Sequence, residues 1–243
     1  MLKRTFIHMR GIGEKRERSL WRHGVTCWED VPSADLSWLG RPAEIVKLES
    51  QRSLDMYRRC ECAFFAGILP PAERWRIWPD FRRECCYIDV ETDPYELTLV
   101  GVYRDGKYER FIRGQNLAEI PAFLDGVKLI ASYCGSGFDL PVLRRHFGDG
   151  LLKKAAHVDV MHVLHGMGIK GGLKASEERL GITRPSCVKG FGGEDAVRLW
   201  REYRGGSRRA LELLIAYNRE DAANLERILD TVVPRLIRAR LGA

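Results

Sequence analysis

The sequence predicts an α/β protein with a mixed five-stranded sheet flanked by helices and a small helical region at its N-terminus. Three observations lead to this fold class. From residue 85 the apolar residues recur at every second position, as they do in half-buried strands. Asp105-Gly106 is a hairpin signal between two such segments. Beyond residue 113, strand-like and helix-like segments alternate, which makes the predicted sheet mixed rather than purely antiparallel.

Residues 1–84 are predicted as a mostly helical N-terminal region, and residues 85–243 as the main domain. A charged helix follows Gly11-Ile12-Gly13, and a long helix is expected over residues 43–66. Pro70-Pro71 ends that helical stretch, because proline lacks the backbone N–H that a helix interior needs.

The main domain contains five predicted strands. They cover residues 85–91, 96–103, 107–112, 127–133 and 157–160. The fourth is almost uniformly apolar, which is typical of a central strand that is covered on both faces. The predicted helices cover residues 116–123, 140–147, 173–180, 194–203 and 208–229.

The composition is typical of a globular protein, and the net charge favours an acidic partner. A chain of 243 residues with 45% hydrophobic and 30% charged residues can bury one good core. The net charge of +7 favours a polyanion such as nucleic acid as the partner. No apolar run is long enough to span a membrane, and no apolar segment of a secretory signal follows the first residues. We therefore expect a cytoplasmic protein that does not act in a membrane.

Seven cysteines, an odd number, occur without an export signal, which predicts free thiols in a reducing compartment. Cys60-Glu61-Cys62 together with Cys85-Cys86 offers an alternative as zinc or iron–sulfur ligands. Their spacing matches no established ligand pattern, so buried free thiols are the expected role.

Three distant segments carry acids at spacings that suit a common site. Asp89 and Glu91 lie two apart on a predicted strand and so point to one face. Tyr217 and Asp221 lie four apart on a predicted helix and share a face as well. Asp139 stands where a strand gives way to a helix, where functional residues of α/β folds concentrate. Each of these acids alone could equally be a helix cap or a surface charge.

Taken together and in this order, the segments resemble the three motifs of the DEDD exonuclease superfamily, which has a ribonuclease-H-like fold. Asp89-Val90-Glu91-Thr92 resembles the first motif, and the run from Cys134 to Pro141 resembles the second. Tyr217 with Asp221 resembles the third motif in the tyrosine subclass. Cys134 departs from the pattern, since this superfamily often has asparagine there.

The flanking segments are similar to a narrower group, the bacterial YprB-like ribonuclease-H-like proteins. This similarity lies in residues 6–31, 69–81 and 172–182. It implies an exonuclease, and it is the most specific resemblance in the chain.

Converging carboxylates repel one another unless cations neutralise them, and carboxylate oxygens suit Mg²⁺ or Mn²⁺. The resemblance implies two such ions, about 4 Å apart, that clamp the scissile phosphate. Asp89 would bridge both ions, Glu91 and Asp221 would hold the one on the nucleophile side, and Asp139 would hold the other. Tyr217 would orient the attacking water, because a phenol with a pKa near 10 is a poor base at neutral pH.

Four further residues are candidates for contact with nucleic acid. Gly11 and Gly13 precede a helix in a pattern that resembles a helix-hairpin-helix, which binds the phosphate backbone. Phe138 could stack on a base, and Lys174 could face a phosphate. The alternatives are a tight turn for the glycines, core packing for the phenylalanine and a solvated position for the lysine.

The predicted activity is a metal-dependent 3′–5′ exonuclease that hydrolyses single-stranded DNA or RNA ends. Two other functions remain open on the sequence. One is a nucleic-acid-binding module without catalysis, against which the full acid set argues. The other is a structure-selective endonuclease with the same metal chemistry.

Overall fold

The computed structural model describes residues 1–241 as helices packed around one five-stranded sheet. The strands are β1 (Cys85–Asp93), β2 (Glu96–Arg104), β3 (Lys107–Ile112), β4 (Leu129–Ser132) and β5 (Ala156–Asp159). Their order across the sheet is β3-β2-β1-β4-β5. β2 pairs antiparallel with β1 and β3, whereas β4 runs parallel to β1 and to β5. The predicted mixed sheet is confirmed.

Ten α-helices lie within residues 1–241, joined in places by short 3-10 helices. They are α1 (Glu14–Arg22), α2 (Pro42–Arg58), α3 (Cys62–Ile68), α4 (Trp78–Phe81), α5 (Ile120–Phe123), α6 (Asp139–Phe147), α7 (Val160–Gly166), α8 (Leu173–Leu180), α9 (Gly193–Arg204) and α10 (Arg208–Leu241). The helices expected in the main domain are all present, although the first of them, over 116–123, is half 3-10 helix.

The single helix expected over residues 43–66 is wrong, because the structure has two helices, α2 and α3. Cys60 adopts a positive φ of 55°, and the N–H of Glu61 turns back to the carbonyl of Met56 at 3.0 Å. The turn lets α3 stack Phe65 on Trp28, with ring centroids 5.6 Å apart and planes at 10°. Burial of this aromatic pair decides against a continuous helix, which propensity alone favours.

The expected end of the last helix at residue 229 is also wrong, since α10 continues through Pro234 to Leu241. A proline inside a helix removes one backbone hydrogen bond. Val232 and Val233 are buried just before it, and their packing keeps the helix intact. The terminal turns also bring Arg240 to Glu73, with which it forms an ion pair.

The two faces of the sheet are covered by different helices. Side chains alternate along a strand, so Cys85 and Tyr87 of β1 face one core while Cys86 and Ile88 face the other. The first core is continuous with the N-terminal region and with the second half of α10. The other of these two cores lies under α5 and α6. A third core, formed by β2, β3, α9 and the first half of α10, includes Tyr217.

A buried arginine holds together distant segments of the N-terminal region. Arg76 is fully buried, and its guanidinium lies 2.9 Å from Glu17 of α1 and 2.7 Å from Glu73. The same guanidinium donates a hydrogen bond to the Thr5 hydroxyl at 2.6 Å. A buried charge needs such partners, so the first residues of the chain complete this part of the core.

All seven cysteines are free thiols, as predicted. Of the four cysteines expected to be buried, Cys62, Cys85 and Cys86 are buried and Cys60 is exposed, since it forms the turn between α2 and α3. Among residues 1–241 no helix is both long enough and apolar enough to cross a membrane.

Candidate metal centre

Three of the predicted acids meet beside the central strand. Asp89 and Glu91 project from one face of β1, and Asp221 reaches them from α10. One carboxylate oxygen from each of the three lies within 4.8 Å of the other two. Glu91 and Asp221 are buried, and Asp89 is half-buried. The structure therefore joins the first and third sequence motifs in one cluster.

The electrostatics of this cluster disfavour three free anions. Burial, together with the charges of Asp221 and Glu91, raises the pKa of Asp89 well above its ordinary value. Burial and the charge of Asp221 raise the pKa of Glu91 to about 8. A divalent cation would relieve the repulsion among these carboxylates.

Asp139 adjoins the cluster without belonging to the group of three. It begins α6 and is only 4% exposed. Burial raises its pKa to about 7, and the charges of Asp159 and Asp221 add to the shift. Its negative charge also contributes to the raised pKa values of Asp89 and Glu91, so the fourth predicted acid lies close enough to interact with them electrostatically.

The loop before Asp139 is held by a second buried acid, which the sequence did not reveal. Asp159 of β5 accepts hydrogen bonds from the backbone N–H of Cys134 at 2.9 Å and of Ser136 at 3.1 Å. Gly135 is required here, because a Cβ at this position would lie 1.8 Å from the Ser132 hydroxyl and 3.1 Å from Asp139. The predicted second motif thus forms a tight loop that fixes the start of α6.

Asn218 is the most important residue that the sequence motifs missed. It is fully buried on α10, and its amide nitrogen donates to Asp89 Oδ2 at 2.7 Å and lies 3.5 Å from Glu91 Oε1. Its amide oxygen accepts a hydrogen bond from the Tyr108 hydroxyl at 2.8 Å. Asn218 therefore orients both carboxylates of the first motif, as the outer partners of metal ligands do.

Gly101 makes room for that asparagine. It pairs with Asp89 across β1 and β2, and a Cβ on it would lie 1.8 Å from Asn218 Oδ1. Any larger residue would push Asn218 off the carboxylates. A glycine inside a strand often marks such a close approach, which is the one signal in the sequence that could have pointed to this site.

Tyr217 and Lys174 form a pair at the edge of the acid cluster. Tyr217 is 4% exposed, and its hydroxyl oxygen accepts a hydrogen bond from Lys174 Nζ at 2.8 Å. Burial, reinforced by the charges of Asp221, Glu91 and Asp89, raises the pKa of Tyr217, so this phenol stays protonated. Lys174 is half-buried, so it is partly withdrawn from solvent beside Tyr217.

Asp221 has a cationic neighbour, Arg184, which follows α8. The two side chains approach to 2.5 Å between Nη1 and Oδ1, yet Asp221 Oδ1 has no aligned hydrogen-bond donor among residues 1–241. A buried carboxylate that contacts an arginine without an aligned hydrogen bond, and that lies beside Asp89 and Glu91, suits a hard divalent cation. The donor set of the cluster, all carboxylate oxygens, fits Mg²⁺ or Mn²⁺.

The other predicted nucleic-acid contacts, Phe138, Gly11 and Gly13, are not part of the acid cluster. Phe138 is 44% exposed and immediately precedes Asp139, so it stands at the rim of the site. Gly11 has a positive φ of 81°, and Gly13 precedes the first residue of α1. The segment after α1 contains a 3-10 helix, Trp28–Ser33, rather than a second α-helix.

Comparison with known proteins agrees with this description. A family model for the RNase H superfamily matches residues 86–233, which is more than half of the chain. The structure is similar to that of the family B DNA polymerase from the hyperthermophilic archaeon Pyrobaculum calidifontis, with a TM-score of 0.52 and 17% identity. That match covers 63% of this chain and 25% of the polymerase, so the chain spans about a quarter of that protein's length. No match was found among the curated proteins. On the family match and the sheet topology, the chain belongs to the RNase H superfamily.

Proposed function

We propose that this protein is a metal-dependent 3′–5′ exonuclease that hydrolyses phosphodiester bonds at single-stranded ends of DNA or RNA. One observation carries the proposal: Asp89, Glu91 and Asp221 converge within 4.8 Å of one another in a member of the RNase H superfamily. Because buried like charges destabilise a fold, this arrangement makes sense as a cation site.

Asp89, Glu91 and Asp221 would hold the first ion, and Asp139, with Asp89, would hold the second. When bound, Mg²⁺ or Mn²⁺ supplies Lewis acidity at the scissile phosphate and at the leaving 3′ oxygen. Asn218 keeps Asp89 and Glu91 turned toward that position through its amide nitrogen. The chain thus prepares the ligands before any ion arrives.

Tyr217 and Lys174 would orient the attacking water. Lys174 donates to the phenol oxygen, so the phenol proton is free to be donated elsewhere. Tyr217 lies one turn before Asp221 on α10, so its phenol stands beside the acid cluster. With its pKa raised, Tyr217 serves as a hydrogen-bond donor and not as a base.

The net charge and one exposed aromatic ring support single-stranded nucleic acid as the substrate. The net charge of +7 favours a polyanion, and Phe138 at the rim can stack on an unpaired terminal base. The motif resemblance supports the tyrosine subclass of DEDD exonucleases, the 3′–5′ direction and a YprB-like subgroup. A cytoplasmic location is part of the same proposal.

The proposal is tested with single strands that are labelled at the 5′ end and incubated with Mg²⁺, Mn²⁺ or EDTA. We expect a ladder that shortens from the 3′ end only when a divalent ion is present. Internal cuts would instead indicate an endonuclease, and a mobility shift without cleavage would indicate a binding module.

Matched variants test whether cleavage depends on the acid cluster and not on a nearby carboxylate. Asp89→Asn and Asp221→Asn should each abolish cleavage. Asp93→Asn makes the same chemical change at the end of the same strand, where Asp93 pairs with Arg201 at the surface, and should leave the rate unchanged. Cleavage that survives both cluster substitutions would disprove the proposed enzyme.

A further inference from the structure

Arg184 is a buried arginine whose position is fixed independently of the acid cluster. Its side chain is 5% exposed, and its Nε and Nη2 each donate to one oxygen of Glu177, both at 2.6 Å. Glu177 is itself 2% exposed and accepts a third hydrogen bond from Asn224 of α10 at 3.0 Å. This bidentate pairing leaves a single guanidinium nitrogen, Nη1, uncommitted.

That remaining nitrogen is directed into the acid cluster. Nη1 lies 2.5 Å from Asp221 Oδ1, but the two atoms are not aligned as a hydrogen bond, and neither has another partner among the described residues. A buried donor and a buried acceptor in contact but poorly aligned are each open to a better partner. For the carboxylate oxygen, that partner is a divalent cation.

The Arg184 guanidinium and a divalent ion would both bind Asp221, and they would repel each other because both are positively charged. The guanidinium stabilises the carboxylate while no ion is present, because it offsets the repulsion from Asp89 and Glu91. A divalent ion at the cluster would lie within a few ångströms of the same guanidinium and be repelled by it. Glu177 holds Arg184 by two hydrogen bonds, so the arginine cannot simply swing away.

We propose that Arg184 is a positioning residue of the metal centre, which holds Asp221 in the metal-free protein and competes with the divalent ion for that carboxylate. The inference rests on the proposed function, since it takes the acid cluster to be a metal site. Its consequence is that Arg184 sets how much Mg²⁺ or Mn²⁺ the protein needs.

Calorimetric titration of the EDTA-treated full chain with Mn²⁺, without nucleic acid, tests this. Arg184→Gln should bind Mn²⁺ about tenfold more tightly than the wild type, a coupling of ordinary size for two linked sites. Its Tm in EDTA should be lower, and the rise in Tm on adding Mn²⁺ should be larger. Weaker or unchanged Mn²⁺ binding would show that Arg184 only supports the fold, and the inference would be overturned.

Three controls make the result specific. Arg58→Gln removes the same charge from an exposed ion pair with Asp55 and should change nothing. In the Asp221→Asn background, Arg184→Gln should raise Mn²⁺ affinity by a clearly smaller factor, because only the direct repulsion between the guanidinium and the ion is then relieved. If Arg184→Gln does not fold, Arg184→Lys serves in its place: it keeps the charge, cannot pair bidentately with Glu177, and should bind Mn²⁺ more tightly by a smaller factor.

The failure of the inference is distinguishable from failure of the function. A wild-type protein that binds no Mn²⁺ would overturn both the metal centre and the role of Arg184. A wild type that binds Mn²⁺ and cleaves, with Arg184→Gln binding no more tightly, would overturn the role of Arg184 alone.

Discussion

Asn218 donates its amide hydrogen to Asp89 Oδ2 at 2.7 Å and thereby ties the long C-terminal helix to the central strand at the acid cluster. Asn218→Ala should reduce Mn²⁺ affinity and kcat by about 10- to 100-fold, the usual effect of losing a residue that orients a metal ligand. Calorimetry and single-turnover cleavage measure the two effects. Asn116→Ala is the control, because Asn116 makes its hydrogen bonds in the loop after β3, outside the cluster. Unaltered Mn²⁺ affinity in Asn218→Ala would contradict this role.

Gly101→Ala should disrupt the same contact from the opposite strand. The new methyl group would lie 1.8 Å from Asn218 Oδ1 and 2.8 Å from the Tyr108 ring, so both must shift. We expect a loss of about 1–3 kcal/mol in the free energy of unfolding, as for other overpacked sites, together with weaker Mn²⁺ binding. Urea denaturation measures the former. Gly67→Ala, in a helix with open space around it, should be neutral or slightly stabilising.

Lys174→Gln should act through Tyr217. Without the ammonium group at 2.8 Å, the phenol loses the donor that fixes its orientation, so we expect kcat to fall by about tenfold. Tyr217→Phe should have a similar effect. The double variant should be little slower than either single one, because the two residues act as a unit. Fully additive losses would show that Lys174 acts on its own, for example on a substrate phosphate.

Metal-free protein should lose stability as the pH rises. The pKa of Glu91 is raised from 4.5 to about 8 by burial and by Asp221, so its folded-state pKa exceeds its unfolded-state value. Below about pH 4.5 this carboxyl is protonated in both the folded and the unfolded state, so it does not lower the free energy of unfolding. Between about pH 4.5 and pH 8 the free energy of unfolding falls, because only the unfolded state releases the proton. In EDTA at pH 8, Glu91→Gln should be more stable than the wild type by on the order of 2 kcal/mol.

Urea titrations at pH 5 and pH 8 check this. The gain should shrink toward pH 5, where the wild-type carboxyl is protonated, and it should reverse when saturating Mn²⁺ is added. Glu109→Gln, an exposed site on β3, should show no such pH dependence. A destabilising Glu91→Gln at pH 8 in EDTA would mean that the carboxylate supports the fold.

Whether the segment around Gly11 and Gly13 binds nucleic acid is best tested by neutralising its charges and not by deleting it. Residues such as Leu2 and Phe6 are fully buried in the shared core, so removing the segment would unfold the protein. Arg10, Lys15 and Arg16 are exposed beside Gly11 and Gly13. If they contact phosphates, replacing all three with Gln should flatten the salt dependence of single-strand binding by about 2 logarithmic units of slope.

The matched control neutralises three exposed arginines around α2, at positions 41, 58 and 59. It changes the net charge equally and should leave the slope within a fraction of a unit. Equal slopes for both triple variants would show that the charge around the glycines contributes only to the general field.

Short-range patterns in the sequence were enough to predict the sheet and most helices of the main domain. The half-buried alternation expected from residue 85 is wrong for β1 and β2, which are apolar at nearly every position because both of their faces are covered, whereas β3 is exposed over most of its length. Local propensity failed at Cys60 and at Pro234. In both places the packing of distant apolar residues, Phe65 on Trp28 and Val233 in the core, outweighed it.

The sequence by itself determined which residues could carry the chemistry, since the spacing of Asp89 with Glu91 and of Tyr217 with Asp221 dictates shared faces. Only the tertiary structure decided what surrounds them. Asn218 lies three residues before Asp221 and so shares its side of α10, but that spacing does not show that its amide contacts Asp89 and Glu91 on β1. Arg184 lies in a loop with no periodic signal. Both residues contact the acids because α8 and β1 each pack against α10, and local spacing does not specify such long-range contacts.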